Sequence, residues 1–216
     1  AVLLFARIMW LDARPAPAAE SVVTFIPADT ILPGQRRLLV YAGPMGKVLR
    51  GRPMFQQLLR EPDMRGTDLL IFHPNVTRLT FGPTDAFATR LRSEIDAQWI
   101  RSGGYDDVIL SGASVGSIIA RHAFVASAGS YPGQPRTVPW ADSVTRIVLI
   151  TGIGRGIRIE QEGAWKWPLR IGRYVPVIRR SIVYDQLRGA ESISAIRIAW
   201  IRHFAQLSRS ARGDST

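Results

Sequence analysis

Short apolar runs recur along the first two thirds of the chain, separated by longer amphipathic segments. Five of these runs predict β-strands, and the last four carry Leu, Ile and Val on consecutive positions. Such continuous runs are typical of strands buried on both faces, as in a parallel sheet covered by helices. The predicted strands are residues 22–26, 37–42, 69–73, 107–110 and 146–151.

Helical periodicity fills the intervals between the strands. Before the fourth strand, apolar residues recur every four positions and so share one helix face, and a glycine pair then provides a stop: Phe87, Leu91, Ile95 and Trp99, followed by Gly103-Gly104. After that strand, residues 115–128 are small and apolar and predict a helix packed on the sheet. The alternation predicts an α/β fold with a doubly wound, mostly parallel sheet flanked by helices, in which the earliest strand forms an antiparallel edge.

The character of the chain changes near residue 155, where tryptophans, prolines and clustered arginines appear. Two further helices are predicted here, over residues 175–188 and 190–207. We therefore divide the chain into an α/β core over residues 1–154 and a helical cap or lid with a polar tail over residues 155–216. The alternative is that these helices simply cover a face of the sheet.

The net charge of +11 comes almost entirely from arginine, because Lys47 and Lys166 are the only lysines. A basic chain raises the hypothesis of nucleic-acid binding, but the arginines are spread out and no nucleic-acid motif accompanies them. Two interpretations remain open. The arginines reflect the nucleotide composition of the source genome, or they attract the chain to anionic membrane surfaces or acidic substrates.

Other features of the composition exclude several classes of protein. The chain has no cysteine, which excludes disulfides and thiolate metal sites, and its three histidines lie too far apart for metal-ligand spacing. We predict neither a metal nor a cofactor. No apolar run is long enough to span a bilayer, so a cytoplasmic or peripheral location is expected rather than an integral one.

The sequence Gly112-Ala113-Ser114-Val115-Gly116 joins the fourth predicted strand to the helix that follows it. This G-x-S-x-G pattern in that context predicts a nucleophile elbow, a sharp turn that exposes the serine hydroxyl at the sheet edge. Glycine is needed at Gly112 and Gly116 because side chains there would clash in the turn. The elbow predicts Ser114 as a catalytic nucleophile, facing a helix N-terminus that stabilises an oxyanion.

The stretch from Leu38 to Gly156 resembles the α/β-hydrolase superfamily, and within it lipase-like members related to GPI inositol-deacylase-type esterases. The resemblance is carried by the elbow and by pattern-level matches: Ala42-Gly43 in place of a strand-ending His-Gly, Ala120-Arg121 in the following helix, and the strand leading to Arg155-Gly156. It implies an esterase or lipase that acts on a carboxylic ester with an apolar part through an acyl-enzyme.

The resemblance also implies an oxyanion hole, which this sequence modifies. The residue after His-Gly usually donates a backbone N–H, but here it is Pro44, which has none. The donor must then be Met45 or Gly46. The second donor is expected to be the N–H of Val115, directly after the nucleophile.

A base and an acid are expected downstream of Ser114, and neither is evident. His122 lies inside the next helix, which leaves His203, in the second predicted cap helix, as the candidate base. The strands that normally carry the acid and the histidine have no counterpart, so the chain is expected to be a fragment or a catalytically inactive relative. The alternative function is therefore a catalytically incomplete protein that binds a lipid, an acyl ligand or a partner.

Two further expectations concern the surroundings of the site. His73 ends the third predicted strand, at the sheet edge where ligands bind in open α/β sheets. Trp165, Trp167 and Tyr174 lie among arginines and are candidates for contact with a membrane surface, or else for packing on the core. The expected partner is a small-molecule ester or a lipid, and no specific nucleic acid is expected.

Overall fold

A five-stranded sheet forms the centre of the computed structural model. The structure describes residues 20–30, 34, 36–46, 52–76, 80, 83–132, 138–150, 155–158, 166–172, 174 and 181–211, with the side chains of 52–54, 168–169 and 209–211 excepted. The strands are β1 (Val22–Ile26), β2 (Arg37–Ala42), β3 (Thr67–His73), β4 (Asp107–Ala113) and β5 (Val144–Ile150). Their order in the sheet is β1-β3-β2-β4-β5, with β1 antiparallel to β3 and every other pair parallel.

This sheet confirms the predicted fold class, including the antiparallel edge. The predicted third and fourth strands were too short. The third strand begins at Thr67, which pairs with Arg37, and the fourth runs on through Gly112 to Ala113, which pairs with Ile150. The last three residues of β4 are Ser111, Gly112 and Ala113, which are too small or too polar to be recognised as part of an apolar run.

Six α-helices are found in the described residues, and two of them were not predicted from the sequence. They are α1 (Arg52–Arg60), α2 (Thr84–Ser102), α3 (Val115–Ser127), α4 (Lys166–Gly172), α5 (Ile182–Asp185) and α6 (Glu191–Ala211). The unpredicted helices are the short α1 and α4. A helix was predicted over residues 175–188, of which 175–180 lie outside the described residues. Within the remaining residues, 181–188, only α5 is helical.

The two faces of the sheet carry separate apolar layers because strand side chains alternate in direction. On β2, Leu38 and Val40 face the layer that also contains α2 and α3, whereas Leu39 and Tyr41 pack with Phe55 of α1 on the other face. Helix α2 ends as predicted at Gly103, whose φ of 74° provides the left-handed cap.

Strand β5 contains one extra residue relative to β4, in the form of a β-bulge. Val108 pairs with Val144, but the next residue of β4, Ile109, pairs with Arg146. Thr145 is therefore the bulged residue, and its hydroxyl donates a hydrogen bond to the Asp107 carboxylate. The bulge keeps Val144 and Ile147 on the face covered by α2 and α3.

Helix α6 lies beside α3 and contacts it along most of the length of α3. Near the start of the two helices, Ile193 and Ile196 pack against Ile118. Further along, the Arg121 guanidinium lies over the Trp200 ring, 4.8 Å from its centroid. Helix α6 therefore packs on α3 through apolar and cation–aromatic contacts.

Helix α5 lies instead at the carboxyl edge of the sheet. The N–H of Ile182 donates to the carbonyl of Thr80 at 2.7 Å, and the N–H of Thr84 donates to Asp185 Oδ2 at 2.8 Å. Thr80 lies in the connection from β3 to α2, and Thr84 is the first residue of α2. The division into a core over 1–154 and a cap over 155–216 stays a prediction. Across the described ranges, no helix combines the length and the apolar character that crossing a bilayer requires.

The pH dependence of stability should report on His122, which packs edge-on against Tyr131. Burial lowers the pKa of the His122 imidazole, and Asp85 and Asp185 offset this only in part. On acidification the unfolded chain therefore binds the proton first, near pH 6.5, so that the stabilising effect is complete above that pH and declines below it. We expect the free energy of unfolding in urea to fall between about pH 7 and pH 5, and to fall less in His122→Gln. Equal pH slopes for the two proteins would contradict this.

Candidate active site

Ser114 has the backbone conformation of a strained turn between β4 and α3. Its φ is 52° and its ψ is −120°, and among the described residues it is the only non-glycine with a positive φ. Such a conformation costs on the order of 1–3 kcal/mol and persists only where the surroundings impose it. The strand ends at Ala113 and the helix begins at Val115, so Ser114 alone turns the chain.

The two glycines that flank Ser114 are required by close backbone approach. A Cβ atom on Gly112 would lie 2.5 Å from the carbonyl oxygen of Gly116, and a Cβ atom on Gly116 would lie 2.0 Å from the carbonyl oxygen of Ala42. Neither distance leaves room for a methyl group. The first contact closes the turn on itself, and the second presses the start of α3 against the end of β2.

The contact at Gly116 places the loop after β2 beside the elbow. Within this loop, the N–H of Gly43 donates to the carbonyl of Phe72 at 2.8 Å, and the N–H of Gly46 donates to the carbonyl of Val76 at 3.0 Å. Pro44 has no N–H. Among the hydrogen bonds between described residues, none uses the N–H of Met45, so of the two N–H groups that the sequence left open only that of Met45 is available in the described structure.

The elbow is tied to β5 as well as to β2. The N–H of Ser114 donates to the carbonyl of Ile150 at 3.1 Å, at the end of β5. One residue later begins α3, whose first N–H groups have no acceptor within the helix. The N–H of Val115 therefore belongs to the positive end of a helix of 13 residues, where developing negative charge is stabilised.

His203 does not lie near Ser114. Its Nδ1 is 3.2 Å from the hydroxyl of Ser130, and its ring packs edge-on against Phe124. Ser130 follows the end of α3, whereas Ser114 precedes its start, and a helix of 13 residues is about 20 Å long. The prediction that His203 acts as the base is therefore not supported by its position.

The other two histidines lie elsewhere in the fold. His122 is two turns along α3, about 12 Å from Ser114 along the helix axis. His73 ends β3 and is only 3% exposed, and its Cδ2 would be 3.1 Å from a Cβ atom on Gly43. Its ring thus lies under the loop that carries Met45. The sequence indicated the strand end but not this contact. Across the described ranges, no three His, Asp or Glu side chains converge as a metal site requires.

Comparison with known proteins identifies the fold. No family model and no curated protein matches the sequence. Among solved structures, the chain is similar to the lipase BlEst2 from Bacillus licheniformis in its mature form, with a TM-score of 0.52 and 14% identity over 88% of this chain and 66% of that chain. The propeptide form of the same lipase gives a TM-score of 0.51 and 14% identity over 85% of this chain and 38% of that chain.

The chain has an α/β-hydrolase fold. At this identity the likeness shows the fold and not the activity. The chain spans just under two thirds of the mature lipase and a smaller share of the propeptide form. The strained serine between β4 and α3 lies at the carboxyl end of a central strand of this sheet.

The contact at Gly116 predicts a large effect of a single methyl group. Gly116→Ala should lower the free energy of unfolding by at least about 3 kcal/mol, because the backbone of α3 or β2 must move. Gly103→Ala is the matched control. Its Cβ would meet nothing within 4 Å, and its φ of 74° should cost only about 1 kcal/mol. Urea denaturation measures both, and equal losses would show that the close approach is not a constraint.

Proposed function

We propose that this chain carries the nucleophile and oxyanion hole of a serine hydrolase that acts on carboxylic esters. The observation that carries the proposal is the strained backbone of Ser114, held between β4 and the N-terminus of α3. A non-glycine residue in this conformation presents its hydroxyl at the head of a helix, which is the arrangement that acyl transfer to serine requires.

The proposed reaction begins with attack by Ser114 Oγ on the ester carbonyl carbon. The N–H groups of Val115 and Met45 hold the oxygen of the tetrahedral intermediate as it becomes negative. The intermediate collapses to an acyl-serine and releases the alcohol, which takes up the proton removed from Ser114. Water then hydrolyses the acyl-serine, which releases the carboxylic acid and regenerates the hydroxyl. The base that takes the proton from Ser114 comes from outside the described residues, since each of the three histidines occupies another position.

The proposed substrate is a carboxylic ester with an apolar part, of the esterase or lipase class. The similar fold of a lipase supports this class, as does the apolar character of the segment after β5. The resemblance to GPI inositol-deacylase-type esterases is a finer hypothesis of the same kind. In this fold its Ala120-Arg121 pair is buried and Arg121 stacks on Trp200, which makes the arginine a packing residue between α3 and α6.

A fluorophosphonate probe tests the nucleophile. The probe should label the chain on one serine, and Ser114→Ala should abolish labelling because the attacking oxygen is gone. Ser93→Ala is the control, since that serine lies on the outer side of α2 and its hydroxyl donates to the carbonyl of Thr89. Labelling that survives Ser114→Ala would refute the proposed nucleophile.

The second candidate function is a protein of this fold that binds a lipid, an acyl ligand or a partner without catalysis. It is favoured by the positions of His73, His122 and His203, none of which is found beside Ser114 in the described structure. A folded chain that is not labelled by the probe, and that binds a fatty acid or an ester without turning it over, would support this function instead.

The proposed role of Met45 leads to a prediction for the rate of labelling. Met45→Pro removes the remaining N–H of the loop and should slow the labelling of Ser114 about 100-fold or more, which is the usual effect of losing one oxyanion donor. Met45→Leu retains the N–H and should label at the normal rate. If both variants label alike, the second donor must be another group.

A further inference from the structure

Helix α4 and the residue just after it expose a row of large apolar side chains. Trp167 is 65% exposed, Ile171 is 62% exposed and Tyr174 is 78% exposed. Their spacing of four and then three residues places them along one side of the helix and of the turn that follows it, where the N–H of Tyr174 donates to the carbonyl of Ile171 at 3.1 Å. Of the two sequence-based alternatives for Trp167 and Tyr174, packing on the core does not agree with these exposures.

A cation completes this row. The Arg170 guanidinium lies over the Trp167 ring, 5.6 Å from its centroid, so that aromatic and cationic groups share one surface. We call the surface formed by Trp167, Arg170, Ile171 and Tyr174 the α4 face. Exposed apolar groups of this size are unfavourable in water. Their grouping on one side indicates that the α4 face is covered by a binding partner in the functional state of the protein.

The charge of the sequence on either side of α4 indicates what covers the α4 face. Between residues 155 and 180 the sequence has only two acidic residues, Glu160 and Glu162, against seven basic ones. Helix α4 itself has no acidic residue in its first turn and a basic residue in its last turn. The basic residues are Arg155, Arg158, Lys166, Arg170, Arg173, Arg179 and Arg180. A binding partner that matches both the apolar side chains and the basic residues must have a surface that is apolar and negatively charged.

We propose that the α4 face docks on an anionic lipid bilayer. Tryptophan and tyrosine rings favour the interface between headgroups and acyl chains, and arginine pairs with lipid phosphates and carboxylates. Each basic side chain near an anionic bilayer adds to the attraction, while the apolar side chains give it an anchor that salt does not remove. This inference is independent of Ser114 and of the proposed reaction.

Co-sedimentation with vesicles tests the proposal on the full chain. Binding to phosphatidylcholine vesicles that contain phosphatidylserine should exceed binding to pure phosphatidylcholine vesicles, and the difference should shrink at high salt. A triple variant, Trp167→Ala with Ile171→Ala and Tyr174→Ala, should lower the affinity for the anionic vesicles at least about tenfold. Arg170→Glu should lower it for the anionic vesicles and leave the weak binding to neutral vesicles unchanged.

Ile100→Ala is the matched control, because Ile100 on α2 is 78% exposed and lies outside the α4 face. It should bind vesicles like the unmodified chain. Circular dichroism shows whether the variants remain folded. Absence of binding to either kind of vesicle would overturn the proposal. So would equal binding by the triple variant, since it would show that attraction to any polyanion, and not the α4 face, holds the chain on the membrane.

Discussion

The site depends on one backbone contact, in which the start of α3 lies directly against the end of β2. Only glycine at position 116 allows the Ala42 carbonyl to come so close. This contact has two effects at once, because it forces the turn at Ser114 into a conformation that other residues avoid and brings the Met45 loop to the same place. The backbone of Ser114 and the N–H groups of Val115 and Met45 are thus positioned by the packing of a helix on a strand, before any side chain of the site is considered.

The sequence predicted the sheet and the elbow because both depend on local patterns. Strands buried on two faces must be apolar at consecutive positions, and the turn at Ser114 tolerates only glycine two residues before and two residues after it. The prediction that His203 is the base shows the limit of local patterns. Spacing along α6 identifies a helix with an apolar side, but it does not tell which end of α3 a given turn of α6 will contact.

The N–H group that is available in the loop after β2 was likewise only half predictable. The sequence shows that Pro44 has no N–H, and this left Met45 and Gly46 as alternatives. The choice between them follows from the carbonyls of Phe72 and Val76, which occupy the N–H groups of Gly43 and Gly46 and belong to another strand and its loop. The exposure of Trp167 and Tyr174 is a similar case, since aromatic residues at helical spacing fit a core and a surface equally well.

The bulge at Thr145 links the nucleophile to a distant part of the neighbouring strand. If Thr145 paired with Ile109 instead of bulging, the remainder of β5 would be one position out of step with β4, and Arg146 would turn toward the apolar layer under α2 and α3. The N–H of Ser114 would then meet the carbonyl of Leu149 rather than that of Ile150. Loss of Thr145 would leave the pairing from Ile109 to Ala113 intact, because Arg146 would then follow Val144 directly. The position of the serine therefore tolerates a strand without the bulge, provided that the residue removed is the bulged one.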